Sequence, residues 1–119
     1  MRVWHKVPEV HPSDLRDKLL VAWVAYHSDQ NASQGGKAHC QVSILYLQML
    51  LCYTTSAAAE RALTRLKAKD KTVGLPWLEI SEPARGVKGH HYRLGPPALS
   101  NHEAWVQLGE SLFGDGGHL

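Results

Sequence analysis

The sequence predicts an α+β fold, mainly α. Two observations carry this. Four segments place apolar residues at three-to-four spacing, the mark of amphipathic helices, and one pair of short alternating runs is joined by a Pro- and Gly-rich connection, the mark of a β-hairpin. At 119 residues with 44% apolar side chains, one modest core is expected.

Residues 1–10 read as extended, with Val3, Val7 and Val10 apolar and Pro8 and Pro12 opposing a helix. Pro12 suits a first helical position, and Asp14 and Asp17 suit the positive end of the dipole. Leu15, Leu19, Trp23 and Tyr26 then form a stripe that Leu20, Val21 and Val24 widen. This predicts a first helix of about 15 residues, buried on more than one side. The polar stretch 27–39, with Gly35 and Gly36, reads as a surface loop.

Residues 40–53 read as a second helix that Ser43 can cap. A strand is the competing reading; the abundance of Leu, Gln and Met over β-branched residues favours the helix. Residues 54–70 give the clearest helix. Its caps are Thr54, Thr55 and Ser56, and its inner stripe is Ala59, Ala62, Leu63 and Leu66. Its outward face is Ala57, Glu60, Arg61, Thr64 and Arg65.

Strands are expected at 77–81 and 90–94. Trp77 and Glu79 fall on one face with Leu78 and Ile80 on the other, while Tyr92 and Leu94 alternate with His91 and Arg93. Trp23, Trp77 and Tyr92 are expected in the core. Pro96 and Pro97 read as a stiff break, and Ser100 with Glu103 as a capping box. Trp105, Leu108, Leu112 and Phe113 line a last helix that Gly114 ends. That stripe can pack on its own domain or pair with a second copy.

Net charge is only +2, but its distribution is uneven. Residues 61–93 hold eight Lys/Arg against three acids, whereas the other 86 residues hold five against eight. A one-sided basic surface suits a polyanion; a merely solvated charged face is the plainer account. No run of 18 apolar residues suggests a membrane span, and 1–10 has no apolar signal region, so a cytoplasmic chain is expected. Cys40 and Cys52 form no CxxC pair and read as free, partly buried thiols. The eight histidines show no ligand spacing, and adjacent His90 and His91 would point to opposite faces of a strand, so no metal or other cofactor is expected. With no P-loop and no G-x-S-x-G, neither is an enzyme.

The order helix, polar loop, helix, tight turn, basic helix, hairpin resembles a winged helix-turn-helix DNA-binding domain. The closest type occurs in phage and plasmid replication proteins and small transcriptional regulators. "RDKLLVAWVAYHSDQNASQGG" looks like the family's first helix and loop, "SILYLQMLLCYTTSAAAERALTRLKAKD" like its helix-turn-helix, and "WLEISEPARGVKGHHYRL" like its wing. The resemblance covers roughly 13–94. The turn "LCYTT" departs from the usual glycine or small polar residue, and "SAAAE" from the usual polar start of the recognition helix.

The resemblance implies a winged domain over 1–95, a three-helix core plus β-hairpin wing, with an additional C-terminal helix and tail over 96–119. It implies double-stranded DNA binding by a transcriptional, replication or partition regulator, as a homodimer. Helix three would enter the major groove and the wing would touch backbone or minor groove. The DNA-binding set is then Thr54, Thr55, Ser56, Ala57, Glu60, Arg61, Thr64 and Arg65, with Arg85, Lys88, His91 and Arg93 from the wing. Trp105, Leu108, Leu112 and Phe113 would serve dimerisation. The alternative is a winged helix used for protein–protein interaction, or an accessory subunit of a nucleic-acid-processing complex; the alanine-rich start of helix three favours it.

Overall fold

The computed structural model of the chain describes residues 15–33, 40–70, 73–81 and 90–114. Its elements, in order, are α1 (Leu15–Ser33), β1 (Cys40–Val42), α2 (Ile44–Leu50), α3 (Ser56–Lys67), β2 (Leu78–Ser81), β3 (His90–Leu94), α4 (Pro96–Leu99) and α5 (His102–Phe113). The fold is α+β and mainly helical. The readings of 1–14, of the 34–39 loop and of the 82–89 connection lie outside the described residues.

α1 is the central element. Six consecutive residues, Leu20 to Ala25, are buried, so the helix is covered on several sides, by α5, β3 and β1. It also outruns its expected end at residue 26 and continues to Ser33. The polar residues 27–33 cost only tenths of a kcal/mol each in a helix, and no Gly or Pro interrupts them. Ser28 is buried and His27 half-buried, so tertiary packing carries the helix on.

The expected helix over 40–53 is corrected. Cys40–Val42 is a strand, paired antiparallel to β3 with Cys40 opposite Tyr92 and Val42 opposite His90. The competing strand reading thus held for three residues, which take their conformation from a partner fifty positions away. Ser43 then caps α2, its side chain accepting from the Tyr46 N–H at 3.2 Å.

α3 is trimmed from 54–70 to Ser56–Lys67, with Thr55 as N-cap accepting from the Ala58 N–H at 3.1 Å. Its inner stripe is as expected: Ala59, Ala62, Leu63 and Leu66 are all buried. Beyond it, Asp70 accepts from the Val73 N–H and from Trp77 Nε1, at 3.1 and 3.0 Å. The Trp77 N–H in turn donates to the Leu66 carbonyl, tying the end of α3 to the sheet.

Among the described residues the sheet has three strands in the order β1-β3-β2, one more than the expected hairpin. β2 pairs with β3 so that Leu78 opposes Leu94 and Glu79 opposes Arg93. Tyr92, Leu94 and Leu78 are buried, and Glu79 and Arg93 exposed, as the alternation requires. Trp77 departs from it: lying one residue before β2, it is buried rather than sharing the face of Glu79. Trp23 is also in the core, as expected.

The prolines do not merely break the chain; they occupy the first positions of α4, where a missing N–H costs nothing. α4 also removes the expected capping box. Ser100 is its helical C-cap, and the Ser100 hydroxyl donates to the Pro97 carbonyl at 2.8 Å, so Asn101 becomes the N-cap of α5.

α5 packs on α1 of the same chain. Trp105 and Leu108 are fully buried, worth about 1.5–3 kcal/mol for a residue such as Leu108, and the Trp105 ring meets Trp77 edge-on at 6.1 Å. Gly109 lets the helices approach: any Cβ there would overlap the Ala22 carbonyl oxygen. Leu112 and Phe113 are half-buried against the same core. Of the two fates open to this stripe, the fold uses intramolecular packing, so Trp105 and Leu108 are not available to a second copy. Residues 96–114 accordingly share one core with the rest.

The cysteine reading is corrected in part: Cys52 is free but exposed. No helix among the described residues is long and apolar enough to cross a membrane.

Candidate nucleic-acid interface

The expected site centres on the turn between α2 and α3. Cys52 takes the left-handed conformation, φ 57°, which a glycine commonly adopts. Arg16 of α1 braces this turn: its guanidinium lies 4.8 Å from the Tyr53 ring centroid and donates to the Cys52 carbonyl at 3.5 Å. Gln48 braces it from the other side, donating to the Thr54 carbonyl at 3.5 Å and accepting from the Ser56 hydroxyl at 2.9 Å. Two of the three expected phosphate-facing hydroxyls, those of Thr55 and Ser56, therefore already serve the turn and cap. Thr54 is exposed beside them.

Along α3, Ala57, Glu60, Arg61, Thr64 and Arg65 are all exposed, as the helical period predicts. They are not chemically equivalent. Thr64 bonds back to its own helix, its hydroxyl donating to the Glu60 carbonyl at 3.0 Å. Arg65 forks onto Asp17 of α1, with Nε to Oδ2 at 3.1 Å and Nη2 to Oδ1 at 2.9 Å. The Asp17 side chain is only 6% exposed, whereas that of Arg65 is 51% exposed. Arg65 is thus a tie between α3 and α1 with part of its guanidinium outward. Arg61, one turn earlier, has no such tie to α1. Lys67 and Lys69 extend the exposed cations past the end of the helix, and sequence reasoning left them out of the site although the same charge count contained them.

In the sheet, Arg93 Nε donates to Glu79 Oε1 at 2.8 Å across the β2–β3 pair, so its charge is locally balanced. His91 is half-buried and lies between Gln41 and Ser81 in the ladder. Arg85 and Lys88 lie outside the described residues. The structure thus brings Ala57, Glu60, Arg61, Thr64 and Arg65 onto the exposed side of α3, sets Thr54, Thr55 and Ser56 at its start, and puts Arg93 and His91 on the sheet.

Asp17 and Gln48 were missed as members of this region. Asp17 lies 48 positions from Arg65, beyond any local pattern. Gln48 sits within a helix turn of the loop it braces, and its amide is the one side-chain amide on a largely apolar α2.

No group of three or more His, Cys, Asp or Glu among the described residues is placed to hold a metal ion. The His27 ring lies tilted against Trp23 at 4.3 Å between centroids and meets Tyr26 edge-on at 5.1 Å, and burial lowers its pKa from the usual 6.5. Comparison with protein-family models, with curated protein sequences and with solved structures found no match in any of the three.

Proposed function

We propose that this chain is a winged helix-turn-helix protein that binds double-stranded DNA through the outward face of α3, without bond chemistry. What supports the reading is the element order α1-β1-α2-α3-β2-β3 with β1 laid on β3, together with Arg61, Arg65, Lys67 and Lys69 exposed on and just beyond one helix. That helix begins at a capped N-terminus suited to a phosphate, and its radius suits the major groove. Its role would be that of a transcriptional, replication or partition regulator in the cytoplasm.

Sequence discrimination falls mainly to Arg61. Arg65 reaches DNA only with the part of its guanidinium that Asp17 leaves outward, so it serves better as a phosphate contact that holds α3 in register. A homodimer remains part of the proposal, through a surface other than the buried stripe of α5.

The experiment is fluorescence anisotropy of a labelled duplex at two salt concentrations. Binding that weakens by roughly three to five decades from 50 to 200 mM salt is expected if six or so cations meet phosphates. Absence of binding at the lower salt sinks the reading. A second reading, a protein-interaction module, is favoured by one observation: residues 40–59 contain no Asp, Glu, Lys or Arg, an unusual lack for a surface facing phosphates.

A further inference from the structure

α2 turns Leu45, Tyr46 and Met49 to solvent, 62%, 50% and 72% exposed. They stand three and four positions apart and so share one face. On the other side of the helix Leu47 is buried in the core, and the Tyr46 ring lies 6.1 Å from that of buried Trp23. α2 is therefore held by its inner face while its outer face stays apolar. The three side chains expose on the order of 350 Å², the size of the largest patch on a typical monomer.

This face is also without charge. Residues 40–59 contain no Asp, Glu, Lys or Arg. Gln48 ties the following turn to α2 through Thr54 and Ser56, and both of these, with Ser43 and Cys52, are exposed around the apolar three. With these neighbours the uncharged surface reaches on the order of 600 Å². A specific protein contact takes about 1,200 Å² from the two partners together, so two such surfaces just meet the requirement.

The absence of charge selects the occupant. Across a two-fold axis a surface meets itself, so any charge near the axis faces its like. A patch with no charge escapes that repulsion. A different protein is chosen largely by complementary charge, and residues 40–59 offer none to complement. Tyr and Met without acids or lysines is also the composition of an interface centre. A lone helix face packs readily on another helix, ridges into grooves. If the two copies of α2 run antiparallel, the axis passes between positions 45 and 49. Leu45 of each copy then meets Met49 of the other, and each helix dipole lies beside its opposite.

We propose that two copies of the chain associate through α2, in an antiparallel two-fold contact centred on Leu45 and Met49. This gives the homodimer of the proposed function its surface, and it rests on that reading in this respect alone. The area places the contact at the weak end, with a Kd of about 10–100 µM. Below that concentration a duplex meets single copies, so loss of this contact and loss of DNA binding are separate results.

Sedimentation velocity of the full chain without DNA, from about 1 to about 500 µM, reads the contact. Reductant keeps the exposed Cys52 a thiol, so no disulfide stands in for the dimer. The wild-type chain should pass reversibly from one copy to two across this range. Leu45→Glu and Met49→Lys, both at exposed positions, should each raise Kd at least tenfold. An equimolar mixture of the two variants should recover the dimer, because the introduced carboxylate then meets the introduced ammonium. A wild-type chain that stays single at the highest concentration overturns the proposal. So does a dimer indifferent to Leu45→Glu, or a mixture that associates no better than either variant alone.

Discussion

α2 and α3 are consecutive helices joined by a five-residue turn, and they share one core. Leu47 of α2 and Leu63 and Leu66 of α3 are all buried in it. Their outer faces have nothing in common. α3 turns Glu60, Arg61, Thr64 and Arg65 outward; α2 turns out Leu45, Tyr46 and Met49 and carries no charge at all. The inner faces explain why the pair folds, and either helix would satisfy that demand with any polar exterior. Only the outer faces distinguish what each helix can touch. A polyanion gains from the first and nothing from the second, while an apolar segment gains from the second and is held off the first by its hydration.

The sharpest way to break this contrast is to exchange the losses. Arg61→Ala, Lys67→Ala and Lys69→Ala combined should lower affinity for a generic duplex about 100-fold at moderate salt and flatten the salt slope by about three. Leu45→Ser with Met49→Ser should leave affinity within about twofold. Equal effects from the two sets, in the same anisotropy titration, would erase the distinction.

Arg65 tests whether the basic face is also structural. Arg65→Ala takes the bidentate partner from a nearly buried Asp17 and should cost about 2 kcal/mol of stability by denaturant unfolding. A double-mutant cycle with Asp17→Asn should recover most of that as coupling. Arg61→Ala, exposed and without that tie, should stay within about 0.5 kcal/mol.

The turn between the two faces gives a smaller effect, of opposite sign. Cys52 holds φ 57° and is exposed, so Cys52→Gly relieves a left-handed strain and gives up little packing. A gain of about 0.5–1 kcal/mol in the same unfolding assay is expected.

The smallest effect concerns His27 on α1. Burial favours its neutral form, so the unfolded chain binds the proton more readily than the folded one. Its contribution is fully present above about pH 6.5, where the unfolded side chain titrates, and is lost as pH falls through the lower folded value. His27→Gln should make the unfolding midpoint less steep in pH below 6.5; an unchanged slope would assign the acid sensitivity elsewhere.

Much of this was legible in the residues. The alternation of Ala59, Ala62, Leu63 and Leu66 with Arg61 and Arg65 is a local property, and local periodicity reads it directly. So is the stripe of α5, although the stripe alone carries no record of which surface will cover it. What escaped depends on distant partners. Cys40–Val42 has the composition of a helix start and becomes a strand because β3 lies beside it. Ser100 has the sequence of an N-cap and becomes a C-cap because Pro96–Leu99 turns helical ahead of it. Asp17 looks like an ordinary acid in a first turn until α3 brings Arg65 to it. In the candidate site, the period showed which side chains face outward, but not which of them were already engaged.

The strand order β1-β3-β2 has one more consequence. Among the described residues β3 is the last strand in sequence and the middle one in the sheet, so β1 and β2 have no ladder hydrogen bonds to each other. α2 and α3 lie between them in sequence and can assemble by short-range contacts alone, but neither strand can pair before residues 90–94 arrive. On a ribosome, the helical pair should therefore form while the sheet still waits, and the sheet should then close in one step around its late central strand.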